Sequence, residues 1–119
     1  MAILPSERRD FIRYDTDVPA TVTSRSMRIS VKMLSVSASG ALLRMDRLSA
    51  KVFDDDRFTV EILGVGRFGA HKKWRRDTDL GCKFDLSDTD RQFLANRLVD
   101  CFGRAKPKLQ AFATNAPRP

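Results

Sequence analysis

The sequence predicts an all-β domain with one helix: about six short antiparallel strands, then a single amphipathic helix near the C-terminus. Three observations predict it. Apolar and polar residues alternate along several runs between residues 18 and 85, the period-two signature of half-buried strands. The links between these runs are short and rich in Gly, Ser and Asp, which favours an antiparallel meander or small barrel. After Ser87 the period lengthens to that of a helix.

Along the chain, residues 1–14, ending SERRDFIRY, are polar and arginine-rich and read as a mobile, extended N-terminal arm. Residues 18–24, VPATVTS, open with a proline near the strand start and then favour a strand. Arg25 and Ser26 form a turn. In residues 27–36, MRISVKMLSV, one face carries Met27, Ile29, Val31 and Met33; the other carries Arg28, Ser30 and Lys32. A turn over 37–40 ends at Gly40, and 41–45, ALLRM, resumes a strand. Residues 46–56 are a connection carrying Asp54, Asp55 and Asp56. Residues 57–63, RFTVEIL, put Phe58, Val60 and Ile62 on one face before Gly64 and Gly66 break the pattern. Residues 67–75 and 79–85 form a last strand pair around Asp77–Thr78.

Ser87 with Asp90 resembles a capping box, Asp standing for the usual Glu. Leu94, Leu98, Cys101 and Phe102 then share one helical face. Gly103 suits the position just past the helix end. Residues 104–119 hold three prolines and no periodicity and read as a flexible tail. The expected organisation is an arm at 1–14, a barrel with its helix at 15–103, and a basic tail at 104–119.

Composition sets bounds on function. A chain of 119 residues fits one domain with a modest core. The formal net charge of +7 favours anionic partners. Four of those charges belong to Arg104, Lys106, Lys108 and Arg118 in the acid-free tail, leaving +3. The folded part is mildly basic, which does not by itself indicate DNA. Two cysteines make no disulfide framework, so a reducing compartment is expected. No apolar run is long enough for a signal peptide or anchor, so the expectation is a cytoplasmic protein without membrane insertion.

The residues that carry chemistry are split. Arg8, Arg9 and Arg13 lie on the arm, and Ser35, Ser37 and Gly40 come later at the spacing S-x-S-x-x-G. An arginine guanidinium forks onto phosphate oxygens or the O6/N7 edge of guanine and also stacks on bases. Serine hydroxyls donate to phosphate or a base edge, and a glycine permits close backbone approach. This is an anion- and guanine-reading set.

Together these motifs resemble the PilZ domain family, whose pattern is R-x-x-x-R on an N-terminal loop, then [D/N]-x-S-x-x-G on a six-stranded antiparallel barrel. Arg9-Asp10-Phe11-Ile12-Arg13 matches the first motif in full. Ser35-Val36-Ser37-Ala38-Ser39-Gly40 matches the second at Ser37 and Gly40 and departs at Ser35. Trp74-Arg75-Arg76, Leu80-Gly81-Cys82-Lys83-Phe84 and the helix resemble the family's closing elements, so the likeness spans roughly residues 7–103. It implies a PilZ-type barrel and a non-catalytic receptor for cyclic di-GMP. Arg9 and Arg13 would bind phosphate and guanine, Arg8 would add a contact, Ser37 would touch the ligand and Gly40 would shape the turn. Ser35 replaces an acid or amide that accepts from guanine N1 and N2, so reduced affinity is expected. The receptor would signal to an unidentified protein partner, through ordering of the arm, in motility, biofilm or virulence control.

Other residues read more plainly. Trp74 fits a barrel-rim position better than a ligand platform, although both stay open. His71 stands alone as a surface histidine. Cys82 and Cys101 pack as small apolar residues. Asp54–Asp56 lacks calcium-loop spacing and reads as a solvated turn. No metal, cofactor or enzymatic constellation is expected. Two alternatives remain: a PilZ-fold interaction adaptor with weak or lost nucleotide binding, and a small basic barrel on single-stranded nucleic acid. The second is disfavoured because it needs several aromatic platforms on the sheet.

Overall fold

The computed structural model describes residues 11–103. Six strands close into an antiparallel barrel: β1 (Tyr14–Thr23), β2 (Arg28–Val36), β3 (Gly40–Arg44), β4 (Arg57–Ile62), β5 (Gly66–Arg76) and β6 (Asp79–Phe84). Their order around the wall is β1-β2-β3-β6-β5-β4. Closure leaves these strands no free edge. The interior is filled from the alternating faces seen in the sequence, with Val22, Met33, Leu43, Val60, Leu80 and Phe84 almost wholly buried.

Helical segments add residues to the barrel core. Ser87 caps α2 (Asp88–Leu98), accepting from the Asp90 N–H at 3.1 Å, and the helix buries Leu94 and Leu98. A π-helical turn, Val99–Gly103, comes after it. There Phe102 packs on Tyr14, ring centres 6.4 Å apart. Cys101 does not share the buried face expected for it; it is exposed. A π turn takes more residues per turn than an α-helix, so the regular spacing from Leu98 no longer carries position 101 inward.

The expected connection 46–56 also needs correction, because it contains a short helix, α1 (Arg47–Val52). Asp46 caps it through the Ser49 N–H at 2.7 Å, and Ala50 and Phe53 are buried as part of the core. One turn and a half of helix is too short to show a period in sequence. Arg75 fastens it, donating to the Phe53 and Asp77 carbonyls at 3.0 Å each and to the Ala50 carbonyl. Of the expected aspartate turn, Asp55 accepts from the Ser26 hydroxyl at 3.0 Å.

Two bulges matter for what the wall displays. One falls between Met33 and Ser35 against β3, the other between Lys72 and Trp74 against β6. A bulge inserts one residue and re-aims the side chains beyond it. Strict alternation from Met33 would turn Ser35 inward, but Val36 takes the core position instead, fully buried. Strict alternation from Ala70 would likewise bury Trp74, yet this residue is 48% exposed.

Candidate ligand site on the barrel wall

The S-x-S-x-x-G segment forms the β2–β3 turn. The Ser37 N–H donates to the Gly40 carbonyl at 2.9 Å, and the Ser37 hydroxyl accepts from the Ser39 N–H at 3.1 Å. The turn is docked on the end of β6, where the Phe84 N–H reaches the Ser39 carbonyl at 2.8 Å. Gly40 is required by proximity: a Cβ there would lie 2.1 Å from the Cys82 carbonyl oxygen. The wall side of the site is therefore pre-formed by backbone contacts.

Arg13 stands just before β1. Its Nη1 donates to the Ser35 hydroxyl at 3.0 Å while the residue stays exposed. Ser35 is buried beneath it. Strand pairing then runs in one line across the wall: Asp15 opposite Ser35, Ser35 opposite Leu42, Leu42 opposite Gly81, Gly81 opposite Trp74. The indole of Trp74 occupies the space above Gly81, since a Cβ on that glycine would lie 2.4 Å from its Cε2 and Nε1. Sequence reasoning missed Gly81; a glycine inside the strand run Leu80-Gly81-Cys82 is the signal that another group approaches closely.

The structure thus joins Arg13 to Ser35, puts Ser37 and Gly40 in one turn beside them, and brings Trp74 onto the same register line. Arg8 and Arg9, with the rest of the arm to residue 10, lie outside the described residues, as does the tail from 104.

The flanking rows are charged. Arg44 forks onto Asp79 at 2.8 and 3.3 Å, and this hydrogen bonding holds the Asp79 carboxyl below its ordinary range and the guanidinium above its own. Asp85 takes His71 at 2.6 Å and Arg57 at 3.4 Å. Lys83, opposite Gly40, has no ion pair among the described residues. Burial pushes the Cys82 thiol up to about 11, so that sulfur stays protonated and is a poor nucleophile. Among the described residues no group of three His, Cys, Asp or Glu side chains is placed to hold a metal, and no helix is long and apolar enough to cross a membrane.

The architecture and this wall define a small closed β-barrel with helical segments packed on its core, and an arginine hydrogen-bonded to a serine that precedes a serine–glycine turn. The PilZ domain model matches residues 7–101, and the chain belongs to that family. Solved structures of similar fold include the PilZ domain of YcgR from Escherichia coli with c-di-GMP, at TM-score 0.64 and 15% identity over 88% of this chain and 99% of that one. The PilZ domain of CeSA from a cellulose-synthesizing bacterium aligns at TM-score 0.60 and 17% identity, covering 76% and 96%. An uncharacterized Legionella protein aligns at TM-score 0.52 and 13% identity, covering 83% and 98%. No curated protein is significantly similar in sequence.

Proposed function

We propose that the chain is a non-catalytic cytoplasmic receptor for cyclic di-GMP. In this reading Arg13, Ser35, Ser37 and Gly40 form the wall-side contacts. Trp74 is the base platform, and Arg8 and Arg9 reach in from the preceding segment. The observation that carries the reading is Arg13. Its guanidinium is exposed beside a pre-formed serine–glycine turn and spends one donor on a hydroxyl, leaving others for phosphate or guanine. Membership of the PilZ family and the likeness to a PilZ domain solved with c-di-GMP support it.

The same geometry suggests how occupancy reaches a protein partner. Tyr14 is next to Arg13 in the chain and packs on Phe102 in the turn that ends α2. A ligand that re-aims Arg13 displaces its neighbour and changes the surface at the end of the helix. The nucleic-acid reading is weaker: among the described strand residues Trp74 is the one exposed aromatic, so successive bases find no second platform on the sheet.

Calorimetric titration with cyclic di-GMP tests the function. Saturable binding is expected for the wild type, with affinity falling about tenfold in Arg13→Ala, the loss of roughly one charge-assisted hydrogen bond. No saturable heat at high micromolar ligand sinks the reading and favours an interaction adaptor.

A further inference from the structure

We infer that Asp15 supplies the guanine-accepting carboxylate that the family pattern puts at the position of Ser35, delivered from the neighbouring strand. The inference rests on the receptor reading above and deepens it by naming a specificity residue.

Asp15 is the direct partner of Ser35 in the β1–β2 register. Side chains directly opposite on an antiparallel pair have Cβ atoms about 5 Å apart. A carboxylate at 15 therefore reaches the space that one at 35 would serve. The two residues also share a face. Their neighbours Tyr14 and Val36 pair with each other and are both buried in the core, so Asp15 and Ser35 turn to the outer wall. After Asp15 the register shifts, and the Thr16 hydroxyl is tied to the Met33 carbonyl at 2.8 Å. That tie pins the strand next to Asp15.

Asp15 is also available. It is exposed, and its carboxylate has no hydrogen bond or ion pair among the described residues. The other carboxylates of this wall are engaged: Asp79 by Arg44, Asp85 by His71 and Arg57, and Asp17 by Lys32 at 3.5 Å. Ser35 itself is occupied, because its hydroxyl accepts from Arg13. A single hydroxyl so engaged cannot take both the N1–H and the N2–H of a guanine. A carboxylate accepts both in a fork. The division of labour is then clear: Ser35 positions Arg13, and Asp15 reads the donor edge of the base.

The test is calorimetry with two probes, cyclic di-GMP and its inosine analogue, which lacks the 2-amino group. The wild type is expected to prefer cyclic di-GMP by about tenfold, the scale of one lost charge-assisted hydrogen bond. Asp15→Ala should bind cyclic di-GMP about tenfold more weakly and lose the preference. Because Asp15 is exposed, the variant should keep the wild-type circular dichroism spectrum. Adding Ser35→Asp to Asp15→Ala moves the carboxylate back across the strand pair and should restore the preference, a result that general damage to the fold would not give. If the wild type binds and discriminates but Asp15→Ala does so equally, the inference is overturned while the receptor reading stands. If the wild type does not bind cyclic di-GMP, both fall.

Discussion

Arg75 sits at the end of β5 and gives its guanidinium to three backbone carbonyls, those of Phe53, Ala50 and Asp77. Arg13 stands at the entry to β1 and gives one N–H to a serine hydroxyl. Both are arginines beside the barrel, yet their partners differ in kind. The Ala50 and Phe53 carbonyls at the end of α1 lack helical partners, and being part-buried they need a donor. A serine hydroxyl rotates and finds another partner when Arg13 leaves. Arg75 is therefore committed to the fold, whereas Arg13 is held in place but free to be recruited. Two arginines beside the same barrel thus differ in how firmly their partners hold them.

The difference is broken most severely from the wall side. Gly40→Ala would push a methyl group into the Cys82 carbonyl and force β3 off β6. A loss of about 3 kcal/mol or more is expected, read from the urea midpoint. A midpoint equal to the wild type would mean that the wall is not rigid and that the contrast with Arg13 is misdrawn. Next in size is the direct comparison of the two arginines. Arg75→Met should cost about 2 kcal/mol, because half-buried carbonyls lose a charged donor. Arg13→Met should cost no more than about 0.5 kcal/mol, as exposed substitutions do. Equal costs would erase the distinction.

Much of this was legible in the sequence, for reasons that also explain what was not. Alternation in Arg28–Val36 and Arg57–Ile62 exposed two strands because each buries one face against a single core. The Ser87 cap and Leu94–Leu98 spacing marked α2. The motifs resembling the PilZ family pointed to the wall, and Arg13 and Ser35 do meet there. The short helix α1 was not legible: six residues show no period, and its stability comes from Asp46 and from Arg75 distant in sequence. The bulges at Leu34 and Lys73 were hidden too, since alternation carries no mark of an inserted residue until strands are paired. With them went the outward turn of Ser35 and Trp74 and the line that joins them. Cys101 was misjudged because a π turn ends the regular period.

Arg44 differs from both Arg13 and Arg75. It forks onto a carboxylate, the strongest partner of the three in charge, but on the exposed wall. Hydrogen bonding from Arg44 lowers the Asp79 carboxyl in the folded state. A group depressed in this way stabilises the fold at pH above its unfolded value, about 3.9, and loses that contribution as pH falls through the folded value. Stability of the wild type over Asp79→Asn should therefore be present at pH 7, shrink below about pH 4 and weaken in high salt. It should be the smallest of these effects, because solvent screens the pair and two long side chains are ordered to make it. Urea midpoints of both proteins at neutral and acid pH decide the matter. A gap as wide as that of Arg75→Met would show that exposure, rather than partner type, is the wrong axis on which to sort these arginines.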